Sequence, residues 1–299
     1  MAKFCARLKS YWPSKIYLYP YSRFIYYLFA ALIRITYRSR PSYRKKGCAP
    51  ERYSTLAESI FDIFTRPAGK KRYDYILNVK FESCNFVIRP FILSDIIMVS
   101  GFYEQHISNL LLDVKQGDIF MDVGAYIGRY TIPIGKKVGS RGRVIAFEPN
   151  QSSAEILDRN IALNNLSNVT VFRKPVGGNK KEVIYRISDR PMFSGIGLRL
   201  NPKFVFNSEM KMHSVALDEV VFGLGIERID WLKIDVEGFE VEVLNGARNI
   251  IKNGSPRIII EVAPENIEAV RKIFSEEGFS LSHIFGANYY AAKDFESRK

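Results

Sequence analysis

One stretch limits the possible folds of this chain more than any other: Ile119–Pro133, IFMDVGAYIGRYTIP. An apolar run ending in Asp122, a turn with Gly124 and Gly128, and a second apolar run read as strand, tight turn and helix. Downstream, short apolar runs at Arg143–Phe147, Val169–Phe172, Trp231–Ile234 and Arg257–Glu261 recur, with amphipathic stretches between several of them. That alternation predicts a Rossmann-like α/β domain: a mostly parallel, doubly wound sheet with helices on both faces. FSLSHIFGANYYAAKD, near the end, predicts two strands turning at Gly286, Ala287 and Asn288, an antiparallel hairpin at one sheet edge. Helix starts are expected at a capping box of Ser152 and Glu155 and at Pro264, placed in a first turn.

Residues 177–228 interrupt the alternation with a strand near Glu182–Ile187 and a Gly-rich loop, SGIGLRL. Substrate selection is expected to reside in such an insertion. Upstream, YDYILNVKFESCNFVIRPF reads as two strands turning near Glu82–Asn85, and Leu56, Ile60 and Ile63 give Tyr53–Thr65 helical spacing. The expected organisation is a basic aromatic segment over 1–50, a helix and strand extension over 51–115, and the α/β domain over 116–299.

Charge separates the first segment from the rest. The net +13 would suggest nucleic acid or an anionic membrane as partner, but residues 1–50 hold eleven Lys and Arg and no acid, leaving 33 basic against 31 acidic residues elsewhere. The α/β body is nearly neutral, so nucleic acid is not the expected partner. Twelve aromatics accompany those cations, and the apolar run Phe24–Ile33 is ten residues long, half of what a bilayer span needs at about 20. A helix lying in the headgroup layer of an anionic membrane is the sharper reading, and a helix packed on the domain is its rival. Cys5, Cys48 and Cys84 form no C-x-x-C pair, which fits a reducing, cytoplasmic compartment.

In open parallel sheets ligands bind beyond the carboxyl ends of the strands, and the first strand-helix turn is the usual cradle. A dinucleotide turn would carry G-x-G-x-x-G and a helix N-terminus free to meet a pyrophosphate; here Asp122 stands where a phosphate would be repelled. An acid at that place calls for a cation, and S-adenosylmethionine brings an ammonium and a sulfonium without phosphate. Gly124 and Ala125 then let the backbone approach the methionine portion, and Gly128 lets the helix pack closely on the strand. RVIAFEPN ends in Glu148, 24 residues after Gly124, where an acid hydrogen-bonds ribose hydroxyls. The third strand, VTVFRKPVGG, is expected to bring Val176 and its neighbours to the adenine edge.

With these residues in place, the chain resembles the FkbM-type branch of the class I S-adenosylmethionine-dependent methyltransferases. The resemblance runs from about Gly101 to Lys293 through GFYEQ, GDIFMDVGAYIGRYT, GRVIAFEPN, NNLSNVTVF, VALDEVV, IDWLKIDVEGFEVEVLNGA and RIIIEV. It implies a methyltransferase acting on hydroxyl oxygens of sugars, polyketides or related natural products. Tyr126 stands where the family commonly has Asn, and Arg129 where it has an aromatic. Residues 1–50 lie outside it.

WLKIDVEGFE delivers Asp235 to a strand end, with Glu237 on the following loop, and the neighbouring strand ends in Glu261. Carboxylates facing one cleft suit general-base work or a divalent cation, although no metal spacing is present and none is expected. Asp235 is the expected base or its orienting partner, Glu237 the group fixing the acceptor hydroxyl or the loop, and Glu261 a third, lesser candidate; helix capping competes for Asp235 and pairing with Lys or Arg for Glu237. His213 is a weaker base candidate; His106 and Glu104, ahead of the sheet, are placed where they could line the cofactor mouth but receive no role. The expected acceptor is a small molecule, glycan or lipid-linked sugar. Two other functions compete. An RNA or DNA methyltransferase lacks its amino-methylating D/N-P-P-Y/F tetrapeptide here, and a membrane-attached scaffold would keep the fold without the chemistry.

Overall fold

The computed structural model describes residues 23–32, 61, 76–101, 103–188, 194–196 and 206–293. The chain divides into two compact units, residues 1–81 with 86–103, and residues 82–85 with 104–299.

In the first unit, residues 23–32 are helical, with Ile25, Tyr26 and Phe29 buried. Phe29 meets Phe61 edge to face at 4.8 Å. This face of the helix is covered by the chain's own residues, so the headgroup-layer expectation is left only with its outer side, where Phe24 and Tyr27 are exposed. No helix among the described residues is long and apolar enough to cross a membrane. The remainder of residues 1–50 and the expected helix at 53–65, Phe61 apart, lie outside the described residues. Strands β1 (Leu77–Phe81) and β2 (Cys84–Ile88) are joined by Glu82 and Ser83, whose φ values of 47° and 64° form the expected turn. After β2, Arg89 makes a two-pronged ion pair at 2.8 Å with Asp95 in helix α1 (Leu93–Met98), both side chains buried.

The second unit is built on seven strands: β3 (Ile119–Val123), β4 (Arg143–Phe147), β5 (Val169–Phe172), β8 (Trp231–Ile234), β9 (Arg257–Glu261), β10 (Phe279–Phe285) and β11 (Asn288–Lys293). Their order is β10-β11-β9-β8-β3-β4-β5; β9 to β5 run parallel, and β11 pairs antiparallel with β9 and β10. The sheet is therefore the expected Rossmann-like one with its hairpin edge, and its order reverses between β3 and β8. Strands β6 (Glu182–Ser188) and β7 (Phe206–His213) lie outside that sheet as an antiparallel pair within the insertion.

Side chains alternate across a strand, so each of the parallel strands presents every second residue to one face. One face is apolar through its middle: Met121, Val123, Ile145, Phe147, Leu232, Ile234, Ile258 and Ile260 share a core with α5 (Leu217–Gly223), α6 (Glu240–Asn245) and α7 (Ile267–Glu276). The opposite face packs Phe120, Val144, Trp231 and Ile259 against α2 (Gln105–Leu110), the turn Leu111–Asp113 and α3 (Thr131–Val138). Continuing each strand two residues along that second face gives Asp122, Lys233 and Glu261, and two more from Ala146 and Lys233 give Glu148 and Asp235.

Helix α4 (Gln151–Leu163) starts differently from the expectation. Asn150 is its N-cap, its side chain accepting from the Ser153 amide at 3.2 Å, while Ser152 donates to Asn150 and Glu155 accepts from Gln151. Ser152 and Glu155 lie inside the helix because Asn150, two residues earlier, leaves the strand in extended conformation and can cap. Pro264 does open a turn, a 3₁₀ segment leading into α7.

Candidate active site

The turn after β3 is held from two sides. Gly124 has φ 87°, and a Cβ there would lie 1.9 Å from the Asp235 carbonyl oxygen; its glycine is required by the backbone at the end of β8. Gly128, at φ 92°, has no room because Leu157 of α4 and Ile132 of its own helix would stand 2.7 and 2.9 Å from a Cβ. The close packing expected of Gly128 is thus against a helix rather than the strand.

The amide hydrogens of this turn are used internally. Gly124 and Ala125 both donate to the Phe147 carbonyl at 3.0 Å, Gly128 donates to Ala125 at 2.9 Å, and Tyr126 donates to Glu148 Oε2 at 2.8 Å. Glu148 Oε1 accepts from the Asn150 amide at 2.8 Å. Glu148 thus ties its own loop to the turn before it meets any ligand. Tyr126 takes up φ 51° to do so, a left-handed backbone that Asn adopts more readily than an aromatic.

Asp122 is fully buried. Its Oδ2 accepts from the Thr131 hydroxyl at 2.6 Å, and its Oδ1 has no hydrogen-bond partner. Across the parallel ladder its neighbour is Lys233, also buried. The Lys233 ammonium reaches Asp235 Oδ2 at 3.1 Å and lies 5.0 Å from the centre of the Tyr130 ring. Burial lowers the Lys233 pKa; the surrounding carboxylates Asp235, Asp122 and Glu104 outweigh that and hold it above the ordinary lysine value. Glu104 enters from the covering side with a left-handed φ of 45°. It accepts from the Tyr130 hydroxyl at 2.6 Å and from the Asn288 amide at 3.2 Å, and Asn288 stands opposite Glu261 in the ladder.

Glu261 lies beside Asp235. Burial, followed by the charges of Asp235, Glu237 and Glu104, raises its carboxyl well above the usual range, and a hydrogen bond to Asp235 acts the same way. Burial likewise raises Asp122 and Glu104, with Lys233 the largest opposing influence on each. Glu237 has φ 52° and is followed by Gly238 at 98°. Left-handed backbone at Glu104, Tyr126 and Glu237, all non-glycine, surrounds this region, and such conformations persist where the neighbouring structure enforces them. The loop is braced by Glu240, buried, which accepts from the Gly238 amide and from Asn266, both at 2.6 Å. Above it lies Gly195 of the insertion, where a Cβ would be 3.5 Å from that of Glu237. The preceding Ser194 hydroxyl accepts from Asn150 at 3.2 Å and from the Ser188 amide at 3.0 Å. Two residues of the expected selectivity loop therefore touch the loops that carry Glu148 and Glu237.

A family model described as the methyltransferase FkbM domain matches residues 122–281, more than half of the chain. The chain belongs to the FkbM methyltransferase domain family. Among curated proteins it is 27% identical to the hexuronic acid methyltransferase AglP of Haloferax volcanii over 179 residues, 59% of this chain and 70% of that protein. It is 26% identical to the methyltransferase sdnD of Sordaria araneosa over 205 residues, 58% of this chain and 77% of that protein. Among solved structures, methyltransferase FkbM from Methylobacillus flagellatus KT aligns with a TM-score of 0.45 at 16% identity, over 77% of this chain and 60% of that one.

Within this FkbM domain the residues read from sequence fall into two groups. Asp122, Gly124, Ala125, Gly128, Glu148, Asp235, Glu237 and Glu261 stand at the carboxyl ends of β3, β4, β8 and β9 or on the loops that follow. Val176 is buried in the apolar core, its backbone bridged to Val215. His213 is exposed at the end of β7, opposite Glu182 in the β6–β7 ladder, and His106 packs on Phe285 at 4.8 Å. Arg129 points away from the turn, to Ser108 at 2.9 Å and Glu82 at 3.3 Å. Sequence reasoning misses Lys233, Tyr130 and Asn288 as members of the site and gives Glu104 no role in it. A lysine inside the apolar strand WLKI is the available signal, because a buried ammonium needs buried anions. Among the described residues no group of three or more His, Cys, Asp or Glu side chains is arranged to hold a metal ion.

Proposed function

We propose that this FkbM domain uses S-adenosylmethionine to methylate a hydroxyl oxygen of a sugar, glycan, lipid-linked or natural-product acceptor. The observation that carries the donor half is the use of hydrogen-bond donors in the first turn. The amides of Gly124, Ala125, Tyr126 and Gly128 are all committed inside the protein, so this turn keeps no row of amides for a pyrophosphate. What it has instead is acid: Asp122 with one buried unpartnered oxygen, and Glu148 at the next strand end. An orphaned carboxylate oxygen fits a group that brings positive charge and hydrogen-bond donors.

Asp122 and the Gly124–Ala125 turn would hold the methionine end of the donor and Glu148 the ribose hydroxyls. When bound, S-adenosylmethionine supplies an activated methyl group. The protein's own part is alignment and proton removal. Asp235, beside Glu261 of the adjacent strand end, is the acceptor for the hydroxyl proton, and the left-handed Glu237 orients the acceptor molecule. The sugar class of acceptor is supported by the likeness to AglP, whose name gives a hexuronic acid as its substrate.

Calorimetry on the full chain with S-adenosylhomocysteine and, separately, with NAD tests the donor half. Saturable binding of the first and none of the second is expected, with binding by Asp122→Ala weakened at least tenfold. Binding of NAD alone would overturn the reading. Mass spectrometry of extracts from cells lacking the gene would expose the acceptor as a compound lighter by one methylene.

A further inference from the structure

Among the described residues, Lys233 is the cation buried between the acids of this site, and nothing in the chemistry above uses it. Its position is built from several directions. Asp122 faces it from β3, Asp235 from the end of its own strand, and Glu104 from the turn before α2; Tyr130 lies beneath its ammonium. Glu261 adds its carboxyl through Asp235, and the Arg129 guanidinium lies 5.3 Å from the centre of the Tyr130 ring. The contacts that fix Glu104 are fixed in turn, by Tyr130 and Asn288.

One ammonium thus stands between the acid of the donor turn and the acids of the acceptor side. We propose that Lys233 is a positioning residue of the donor site, its buried ammonium paired with Asp235 beside Asp122 and keeping Asp122 available as an anion for the incoming methyl donor. This rests on the donor assignment above. No bond is made or broken at Lys233; it acts through the carboxylates. Without it, burial would be left to act on Asp122 and Glu104 with only Thr131, Tyr130 and Asn288 in opposition, and both would take up protons at higher pH.

The test is the pH dependence of S-adenosylhomocysteine binding by the full chain, which needs no acceptor. In wild type, affinity falls on the acid side as Asp122 takes up its proton. In Lys233→Gln that acid limb should move upward by roughly one to three pH units, the usual effect of one adjacent opposite charge. Lys233→Arg should bring it back. A lysine that merely fills space would lower affinity evenly across pH, and an unmoved acid limb in Lys233→Gln overturns the proposal. Failure of wild type to bind at any pH would instead strike the donor assignment. Should Lys233→Gln not fold, ¹⁵N resonances of lysine-labelled wild type give the second measurement. Lys233 Nζ is expected to keep its proton beyond the pH at which the surface lysines lose theirs, and titration together with them overturns the proposal.

Discussion

The two faces of the central sheet are made from the same strands, residue by alternate residue, and they do different work. On one face Met121, Val123, Ile145, Phe147, Leu232, Ile234, Ile258 and Ile260 form an apolar layer. On the other, Phe120, Val144, Trp231 and Ile259 give way toward the carboxyl ends to Asp122, Glu148, Lys233, Asp235 and Glu261. Apolar contact is non-directional, so the first face is replaceable piece by piece at a cost in stability. The second holds charges in a space largely closed to water, where each member depends on its neighbours. Leu232 and Lys233, consecutive in β8 and turned to opposite faces, bring the contrast down to two adjacent residues.

Lys233→Met should have the larger effect. It leaves Asp122, Asp235 and Glu104 facing one another without their cation, and breaking a buried ion pair by removing one partner costs about 3–5 kcal/mol. Urea denaturation at neutral pH should show that loss, and the deficit should shrink as the solution is acidified, because the stranded carboxyls then become neutral. A deficit constant with pH would mean that the lysine contributes by packing alone.

Leu232→Ala should follow, at about 2–5 kcal/mol, the cost of a buried leucine truncated to leave a cavity. No titratable group of the site belongs to that face, so the loss should be the same from acid to neutral pH, and the acid limb of S-adenosylhomocysteine binding should stay where wild type has it. A shifted limb in this variant would show that the two faces are coupled through the strand.

The same contrast explains what the sequence could and could not say. Periodicity located all five parallel strands, because a strand buried on both sides is a short apolar run whichever way its residues point. Asp122, Glu148, Asp235 and Glu261 were legible because an acid ending such a run breaks its pattern. Lys233 breaks the pattern too, inside the run, but its partners come from Glu104, Asp122 and Tyr130, distant in sequence and brought together only by the fold. Asn150 took the cap from Ser152 because spacing alone does not say where the chain leaves its strand. Val176 lies beyond a strand end like the acids, yet points into the apolar core, since which face a residue meets depends on the exact exit of the strand.

Glu261→Gln should have the smallest effect and the opposite sign. The Glu261 carboxyl is raised in the folded chain, so from the ordinary carboxylate range up to its raised value the folded chain holds a proton that the unfolded chain has released. Stability from this group is therefore full at acid pH and is lost as pH rises through that window. Glutamine keeps the shape and cannot ionise. The variant should thus be no more stable than wild type below the ordinary glutamate range and should gain on it toward neutral pH, by about 1.4 kcal/mol for every pH unit that the window spans. Asp122 and Glu104 are raised in the same direction, so the fall of melting temperature between acid and neutral pH should become shallower in the variant without vanishing. Parallel melting curves for the two proteins across that range would place the proton elsewhere in the cluster, and the part proposed for the Glu261–Asp235 pair in proton removal would lose its support.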